Sequence, residues 1–188
     1  MIKTLCFVLL FSAVACFGQE VVSATTLLKS VEGSVKNSYN NIDYHVVYDD
    51  ANPKTKWNNT ESFSDFKSRC KGIPTIGYGE TNTEVVSKMK ITEEEAIKYL
   101  NARITTIRKK IQEVVLVKLT SNQETALVSF IYNVGFNAFK TSKLLKKINK
   151  GDYNSVKSEL KRWIYCNGKK NKGLINRRNI EIDCWNKI

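Results

Sequence analysis

The chain has 188 residues, with 30 Lys or Arg against 18 Asp or Glu, and its formal net charge is +12. This length suits one domain with a sizeable core, and no apolar run of about 18 residues follows the N-terminal segment, which excludes a later membrane-spanning helix. The basic excess suits an anionic partner such as a bacterial wall, a membrane surface or nucleic acid, among which charge alone does not choose.

The first 18 residues have the pattern of a secretory signal peptide, in which Lys3 precedes an apolar run that ends at small residues. We predict cleavage after Gly18, with Ala15 as the alternative, and loss of Lys3 lowers the net charge to +11. A lipoprotein anchor at Cys16 is the other interpretation, although the Leu usual three residues earlier is absent. The expected location is therefore secreted, either extracellular or in a phagosomal or lysosomal lumen.

Three cysteines remain after the signal region, namely Cys70, Cys166 and Cys184. An odd number allows at most one disulfide bond, and a bridge between Cys166 and Cys184 would close the end of the chain. Their spacing gives no zinc pattern, and we expect no metal and no cofactor. His45 is the single histidine, which removes most Ser-His-Asp and Cys-His mechanisms, and we expect it partly buried in a strand.

The first part of the mature chain predicts a small β region behind one short helix. The predicted elements are, in order, a helix over Ser23–Val31 ended by Glu32-Gly33, a strand over Ile42–Tyr48, a turn over Asp49–Pro53, a polar loop over Lys54–Lys71 and an edge strand within Gly72–Thr81. Apolar spacing indicates the helix, β-branched and aromatic residues indicate the strands, and Asx residues before proline indicate the turn. The long loop is typical of a functional segment or an insertion.

The rest of the chain predicts about five helices, of which the first is the longest. Thr92 and Glu95 have the pattern of a capping box, and apolar residues then recur at spacings of three and four as far as Val114. This stripe covers about six turns, or roughly 33 Å, which is long enough to join two lobes. The other helices are predicted at Ser121–Val134, Lys143–Lys150, Asp152–Tyr165 and Leu174–Trp185. We therefore predict an α+β fold over residues 19–188, as one domain of two lobes.

Carboxylates at the ends of these elements are the candidates for chemistry. Glu32 follows the first helix, Asp50 follows the first strand, and Thr75 begins the strand that should pair nearby. Hydrolysis of a glycosidic bond requires a protonated acid and an ionised carboxylate, and a small hydroxyl group can hold the water. Because 18 acidic residues offer many such pairs, the pattern by itself is weak.

Several motifs, taken in order, resemble the phage-type lysozymes of glycoside hydrolase family 24. In the first half they are Leu28–Gly33, Tyr48-Asp49-Asp50 and Thr75-Ile76-Gly77-Tyr78-Gly79. In the second half they are Leu119-Thr120, Ala126–Phe130, Asn133–Gly135, Ser142-x-Leu144-Leu145, Asn149–Tyr153, Arg162-Trp163 and Gly173-Leu174 with Arg177-Arg178. The resemblance runs from about Leu27 to the end of the chain and implies a lysozyme-like α+β fold.

The resemblance implies a muramidase that hydrolyses the β-1,4 bond between N-acetylmuramic acid and N-acetylglucosamine in peptidoglycan. Glu32 matches the general acid, Asp50 the partner carboxylate and Thr75 the residue that positions water, with inversion at the sugar carbon. Thr81 and Tyr132 match positions that contact the glycan, although Tyr132 suits a core aromatic equally well. We expect a monomer that binds bacterial peptidoglycan and serves in bacteriolysis or antibacterial defence. We expect no nucleic-acid partner and no stable insertion into a membrane.

This sequence departs from the family pattern in its spacing and at one residue. Glu32 and Asp50 lie 18 positions apart, about twice the family spacing, and we infer an insertion near Asn37–Tyr44. Asp43 is a second candidate for either role, and a further insertion follows Asp50. Glu80 stands where the family usually has His, and we expect its carboxylate to repel Asp50 or to raise the pKa of the acid.

Two other functions remain open from the sequence. A lysozyme-like protein whose acid and base have changed would bind peptidoglycan without cleaving it. A cationic antimicrobial protein would instead act on membranes through charge, and the short basic helix at Lys143–Lys150 is the feature that favours it. Release of reducing ends from peptidoglycan distinguishes the hydrolase from both alternatives.

Overall fold

The computed structural model describes residues 24–187, except positions 33, 35, 40, 41 and 59. The predicted signal peptide and its cleavage site therefore lie outside the described residues. The described chain divides into two compact units, of which the first is Leu28–Arg103 and the second begins at Ile104 and includes residues 24–27. Within the described ranges, no helix is long and apolar enough to cross a membrane.

The first unit contains two small antiparallel sheets. Their strands are β1 Lys36–Tyr39, β2 Ile42–Val46, β3 Tyr48–Asp49, β4 Asn52–Lys56, β5 Pro74–Thr75 and β6 Lys90–Ile91. One sheet has the order β1-β2-β6 and the other has the order β4-β3-β5. The insertion inferred near Asn37–Tyr44 lies in the hairpin of β1 and β2.

The strand predicted over Ile42–Tyr48 is divided at Val47. The Val47 N–H donates to the carbonyl of Met89 at 2.9 Å, while the Val47 carbonyl accepts the N–H of Trp57 at 3.0 Å. Val47 therefore uses its two backbone groups on different partners, and the chain passes from one sheet to the other there. High β-propensity predicts extended backbone but does not reveal which neighbours it pairs with.

The loop predicted over Lys54–Lys71 is wrong in part, because this segment contains the end of β4 and a helix, α2, at Phe63–Arg69. Ser62 caps α2 by accepting the N–H of Asp65 at 3.2 Å, and Phe66 is the buried residue of the helix. Phe63 and Phe66 lie three positions apart, but one such pair in a seven-residue segment is too short a pattern for apolar spacing to indicate the helix.

The stretch Gly72–Thr81 is a strand only at β5. Ile76 and Glu80 then exchange two backbone hydrogen bonds, each 2.9 Å long, which close a tight turn. Gly77 and Gly79 within this turn have φ of +60° and +91°, in the left-handed region that glycine adopts without strain. The turn itself therefore explains why both positions are glycine.

Helices make up most of the remaining chain. Residues 24–31 form α1, and the other helices are α3 Thr83–Val86, α4 Glu93–Val114, α5 Ser121–Val134, α6 Phe136–Lys140, α7 Lys143–Asn149, α8 Val156–Leu160 and α9 Lys172–Trp185. The capping box of α4 is confirmed, because Thr92 and Glu95 exchange backbone-to-side-chain hydrogen bonds of 3.1 and 3.2 Å. α5 also begins with a capping box, at Thr120 and Gln123.

The helix predicted over Asp152–Tyr165 is shorter than expected. A 3-10 turn at Tyr153–Ser155 precedes α8, and a hairpin of β7 Tyr165–Cys166 and β8 Lys169–Lys170 follows it. Asn167 and Gly168 connect these strands with φ of +50° and +74°, as a two-residue Asn-Gly hairpin turn requires. The Asn167-Gly168 turn therefore forms a hairpin at the end of the segment for which apolar spacing predicted a continuous helix.

The possible bridge between Cys166 and Cys184 is absent, since all three described cysteines are free thiols. Cys166 is exposed in the β7–β8 hairpin, whereas Cys184 is buried on α9 with its Sγ 3.4 Å from the Asn122 carbonyl oxygen. Cys70, the third thiol, donates to the carbonyl of Phe66 at 3.4 Å.

α9 buries charged side chains beside its apolar ones. Ile180 is exposed, whereas Glu181 is buried with Arg178 and Arg177. The Glu181 carboxylate lies 2.7 Å from Arg178 Nε and 3.2 Å from Arg177 Nε, and it accepts the hydroxyl hydrogen of Ser129 at 2.8 Å. A carboxylate and two guanidinium groups are therefore part of the core of the second unit.

Candidate active site

β3 ends at Asp49, a buried carboxylate that accepts hydrogen bonds from backbone N–H groups. Asp49 is 1% exposed, and its side chain accepts the N–H groups of Lys71 and Gly72, both at 2.8 Å. It also accepts the N–H of Ala51 at 3.0 Å. The Lys71 N–H contributes most to a pKa of Asp49 below its usual range, although burial opposes the shift. Asp49 is thus a structural residue that fixes the chain before β5.

The adjacent carboxylate, Asp50, is exposed. Its Oδ1 accepts the backbone N–H of Ile73 at 2.6 Å. The carbonyl oxygen of Ile73 accepts the hydroxyl hydrogen of Thr75 at 2.9 Å, and Thr75 is 4% exposed. A hydroxyl that donates its hydrogen keeps its oxygen lone pairs, so Thr75 can still accept a hydrogen bond from water. The backbone of Ile73 therefore links two of the three predicted catalytic side chains.

Glu32 approaches the same region from α1. Its N–H donates to the carbonyl of Leu28 at 2.9 Å, so the helical hydrogen bonding reaches Glu32, which is half-buried. Tyr48 lies directly opposite Thr75 in the register of β3 with β5. Burial raises the pKa of Tyr48, and the charges of Glu32 and Asp50 raise it further.

Asp43, the second candidate, lies elsewhere in the first unit. It is exposed on β2, where it faces Ser38 of β1 in the register of the hairpin. A hydrogen bond to Glu93 is the main cause of the raised pKa of Lys36, and the charge of Asp43 contributes to it. The charges that raise the pKa of Tyr48 are those of Glu32 and Asp50.

The two predicted glycan contacts fall in different units. Thr81 is exposed in the first unit, and Tyr132 belongs to α5 of the second. Tyr132 is 7% exposed, which is the burial of a core aromatic. Its role as a glycan contact stays a prediction.

Glu80, the departure from the family pattern, makes local hydrogen bonds. Its Oε1 accepts the N–H groups of Thr81 at 2.8 Å and of Asn82 at 2.7 Å. Asn82 in turn caps α3 by accepting the N–H of Glu84 at 2.9 Å. Glu80 therefore orders the chain between the glycine turn and α3, and its expected effect on Asp50 or on the acid stays a prediction.

Two residues of this region have roles that the sequence did not indicate. A Cβ atom at Gly72 would overlap the Asp50 carboxylate oxygen, so only glycine fits beside the two acids. Glu93 accepts hydrogen bonds from several elements of the first unit. No local pattern identifies either role, because both depend on residues distant in sequence. Among the described residues, no group of three His, Cys, Asp or Glu is arranged to hold a metal ion.

Comparison with known proteins identifies the class first. The endolysin of the Escherichia coli O157:H7 phage FAHEc1 superposes with a TM-score of 0.66 at 28% identity, over 88% of this chain and 91% of that one. A variant of P22 lysozyme superposes with a TM-score of 0.64 at 27% identity, over 87% and 95%. The fold is thus the α+β lysozyme-like fold, as predicted, and the protein is a glycosidase of the lysozyme class.

The family follows from the sequence comparison. The model described as Phage lysozyme matches residues 58–181, more than half of the chain, and the chain belongs to this family of peptidoglycan-hydrolysing enzymes. The SAR-endolysin of Bacteriophage PS119 is 39% identical over 118 residues, which cover 62% of this chain and 71% of that protein. The predicted family and enzyme class are confirmed. The matched range contains Thr75 but begins after Glu32 and Asp50.

Proposed function

We propose that the chain is a muramidase that hydrolyses the β-1,4 bond between N-acetylmuramic acid and N-acetylglucosamine. Glu32 is the general acid, Asp50 is the general base, and Thr75 positions the attacking water. The observation that carries this proposal is that Asp50 and Thr75 both hydrogen-bond to the backbone of Ile73, in a chain that belongs to the phage lysozyme family. Two carboxylates beside a small hydroxyl group are suited to glycoside hydrolysis.

Glu32 acts on the leaving sugar. It donates a proton to the glycosidic oxygen while the bond between that oxygen and the anomeric carbon breaks. The leaving sugar then departs as a neutral alcohol, because the oxygen has received the proton of Glu32. The carboxylate of Glu32 takes up a proton from solvent before the next turnover.

Asp50 and Thr75 act on the water molecule. Asp50 removes a proton from water while the water oxygen attacks the anomeric carbon on the face opposite to the leaving oxygen. The Thr75 hydroxyl, which donates to Ile73, accepts the other hydrogen of the same water and thereby orients its lone pair. This single displacement inverts the configuration of the carbon, and Asp50 releases its proton to solvent.

The release of reducing ends from purified peptidoglycan tests the acid. Glu32→Gln keeps the size of the side chain but removes the acidic proton, and we expect the rate to fall by about 10²- to 10⁴-fold. Asp43→Asn is the matched control because Asp43 is an exposed carboxylate of the same unit, and this variant should stay active. An active Glu32→Gln together with an inactive Asp43→Asn would assign the acid to Asp43.

The configuration of the first product tests inversion. Hydrolysis of a β-linked glycan by a single displacement releases the α anomer, whereas a covalent intermediate leads to the β anomer. NMR spectra recorded before the anomers interconvert distinguish the two. A β product would contradict the role of Asp50 as general base and favour a nucleophile instead.

The location and biological role belong to the same proposal. Lys3 and the apolar run behind it favour export and cleavage after Gly18, so a mature N-terminus at Gln19 is the expected sequencing result. An uncleaved N-terminus would contradict export by this route. The phage endolysins among the relatives support bacteriolysis, and secretion would make antibacterial defence the use of that activity. We expect a monomer, which sedimentation equilibrium tests.

The basic charge gives the enzyme a second means of contact with an anionic wall. The lysines of α7 and its C-cap, namely Lys143, Lys146, Lys147 and Lys150, recur on one helical face, while Leu144, Leu145 and Ile148 are buried. Because the apolar face of α7 is used in the core, this helix offers a membrane surface charge but no apolar side chains. This arrangement favours adsorption to a polyanion over membrane insertion.

A further inference from the structure

Glu93, the first residue of α4, gathers donors from four elements of the first unit. Its carboxylate lies 2.7 Å from Nζ of Lys29 on α1 and 3.0 Å from Nζ of Lys36 on β1. It also lies 2.7 Å from Nε2 of His45 on β2 and accepts the hydroxyl hydrogen of Tyr78 at 2.6 Å. Elements separated by up to 64 residues in sequence thus meet at one carboxylate.

The charges of this cluster follow from burial and hydrogen bonding. Burial opposes ionisation of Glu93, but the hydrogen bonds, led by that of Lys29, hold its pKa far below the usual range. His45 is fully buried, and this burial lowers its pKa although Glu93 opposes the shift. His45 is therefore neutral at neutral pH and acts as an Nε2–H donor. Two ammonium groups and one carboxylate remain as the charged members.

Two of the four partners adjoin the proposed catalytic residues. Lys29 precedes Glu32 by one helical turn, and the helical hydrogen bond from Glu32 to Leu28 keeps that turn intact. Tyr78 follows Thr75 by three residues, within the turn that the two glycines form. The Lys29 ammonium also lies 5.3 Å above the Tyr78 ring, so the Glu93 contacts are reinforced by a cation–π contact.

We propose that Glu93 is a positioning residue for the hydrolytic reaction. By binding Lys29 and Tyr78 at once, it fixes the end of α1 relative to the segment after β5. Those two elements carry Glu32 and Thr75, so this inference rests on the roles proposed for them above. A displacement of about 1 Å at a reacting group can lower a rate about 100-fold, which makes such a connection consequential for catalysis.

A purely structural role has a different signature. An acid in the first turn of a helix stabilises that helix through its dipole, and any acid in this turn does so. Glu94 provides the matched control because it is the next acid of the same turn, is exposed and carries the same charge. Glu93→Gln and Glu94→Gln therefore remove equal charge from one helix end, but only Glu93→Gln replaces one acceptor oxygen of the link between α1 and the turn by an amide donor.

Steady-state kinetics at a temperature where every variant is folded by circular dichroism tests this proposal. For Glu93→Gln we expect kcat to fall about 10- to 100-fold with little change in KM, whereas Glu94→Gln should match the wild type. A lower Tm of Glu93→Gln with unchanged kcat would overturn the proposal. Glu93→Asp, which keeps the charge on a shorter side chain, should recover part of kcat.

Lys29→Gln and Tyr78→Phe remove the two links without touching Glu93 and serve if Glu93→Gln does not fold. Each should lower kcat, and the double variant with Glu93→Gln should be no slower than Glu93→Gln alone, because both changes break one connection. Full kcat in both link variants, or additive losses in the double variants, would contradict the proposal. Glu32→Gln distinguishes failure of the proposed function from failure of the positioning role. A fully active Glu32→Gln would reject Glu32 as the acid. An inactive Glu32→Gln beside a fully active Glu93→Gln would reject only the positioning role of Glu93.

Discussion

The unit Leu28–Arg103 contains eleven Lys or Arg and eleven Asp or Glu, whereas residues 104–188 contain eighteen and six. The entire net charge of +12 therefore lies in residues 104–188, since Lys3 and Glu20 cancel each other. In the balanced unit, acids such as Asp49 and Glu93 accept several hydrogen bonds each. One unit therefore uses charge to place individual groups, whereas the other concentrates positive charge, as the proposed adsorption to an anionic wall requires.

Each unit nevertheless contains a carboxylate that receives several donors. Glu93 in the first unit is partly exposed, with 31% of its side chain accessible, whereas Glu181 in the second is fully buried between two arginines. Removal of one partner from a buried ion pair lowers the free energy of unfolding far more than removal of one partner from a surface ion pair.

The largest effect on stability is expected at Glu181. Glu181→Leu leaves two arginine side chains buried without their carboxylate, and we expect a loss of about 3–5 kcal/mol of unfolding free energy in urea titrations. Asp183→Asn is the control on the same helix, because Asp183 is exposed, and it should change stability by less than about 0.5 kcal/mol. Equal stability of the two variants would show that the buried ionic cluster contributes nothing specific.

The largest effect on activity without loss of a carboxylate is expected at Gly72. Gly72→Ala places a methyl group where the Asp50 carboxylate lies, and the displacement of Asp50 should lower kcat by up to about 100-fold. Lys71→Ala is the neighbouring control because Asp49 binds the backbone N–H of Lys71, which this change keeps. Wild-type kcat in Gly72→Ala would argue against the role of Asp50.

The first unit should be sensitive to acid. The folded pKa of His45 lies below its ordinary value of 6.5, so the folded state binds fewer protons there, and stability is lost as pH falls below about 6.5. Glu93, whose pKa is also lowered, adds a further loss below its ordinary value of 4.5. His45→Gln keeps a hydrogen-bond donor for Glu93 but does not titrate, so its unfolding free energy should change less between pH 7 and pH 5. An equal change in both proteins would exclude His45 as the sensitive group.

A smaller effect is expected from the exposed lysines of α7. Replacement of Lys143, Lys146 and Lys150 by Gln should lower activity on insoluble peptidoglycan several-fold at low salt and much less at about 1 M salt, where the screening length is roughly 3 Å. The matched control is the triple replacement of Lys54, Lys67 and Lys71, which removes the same charge from the first unit. Equal losses in the two triple variants would mean that net charge, rather than its distribution, governs adsorption.

The smallest effect is expected at Glu80. Glu80→His removes a carboxylate that accepts the N–H groups of Thr81 and Asn82, and we expect the pH–activity profile to shift by about one unit or less. Profiles of the variant and the wild type, recorded at constant ionic strength, provide the measurement. An unchanged profile would show that Glu80 orders the chain before α3 and does not influence the acid or Asp50.

Elements and motifs that depend on neighbours along the chain were predictable from the amino-acid sequence. The capping box at Thr92 and the apolar stripe to Val114 predicted α4 because both signals repeat within a few residues. The ordered motifs, from Glu32 onward, were sufficient for the family and for the α+β fold. The three catalytic candidates were also named from these motifs, and two of them, Asp50 and Thr75, are linked through the backbone of Ile73 in the structure.

Contacts between residues distant in sequence were not predictable, because they form only when the chain folds. Asp49 and Asp50 are adjacent and chemically identical, yet Asp49 is buried under backbone N–H groups from another segment while Asp50 is exposed. α9 buries Glu181 rather than Ile180 because two arginines are available to pair with it. Glu93 is one of three consecutive acids in sequence, and only folding brings four donors to it. Periodicity reports local geometry, whereas partners distant in sequence are chosen by packing of the whole unit.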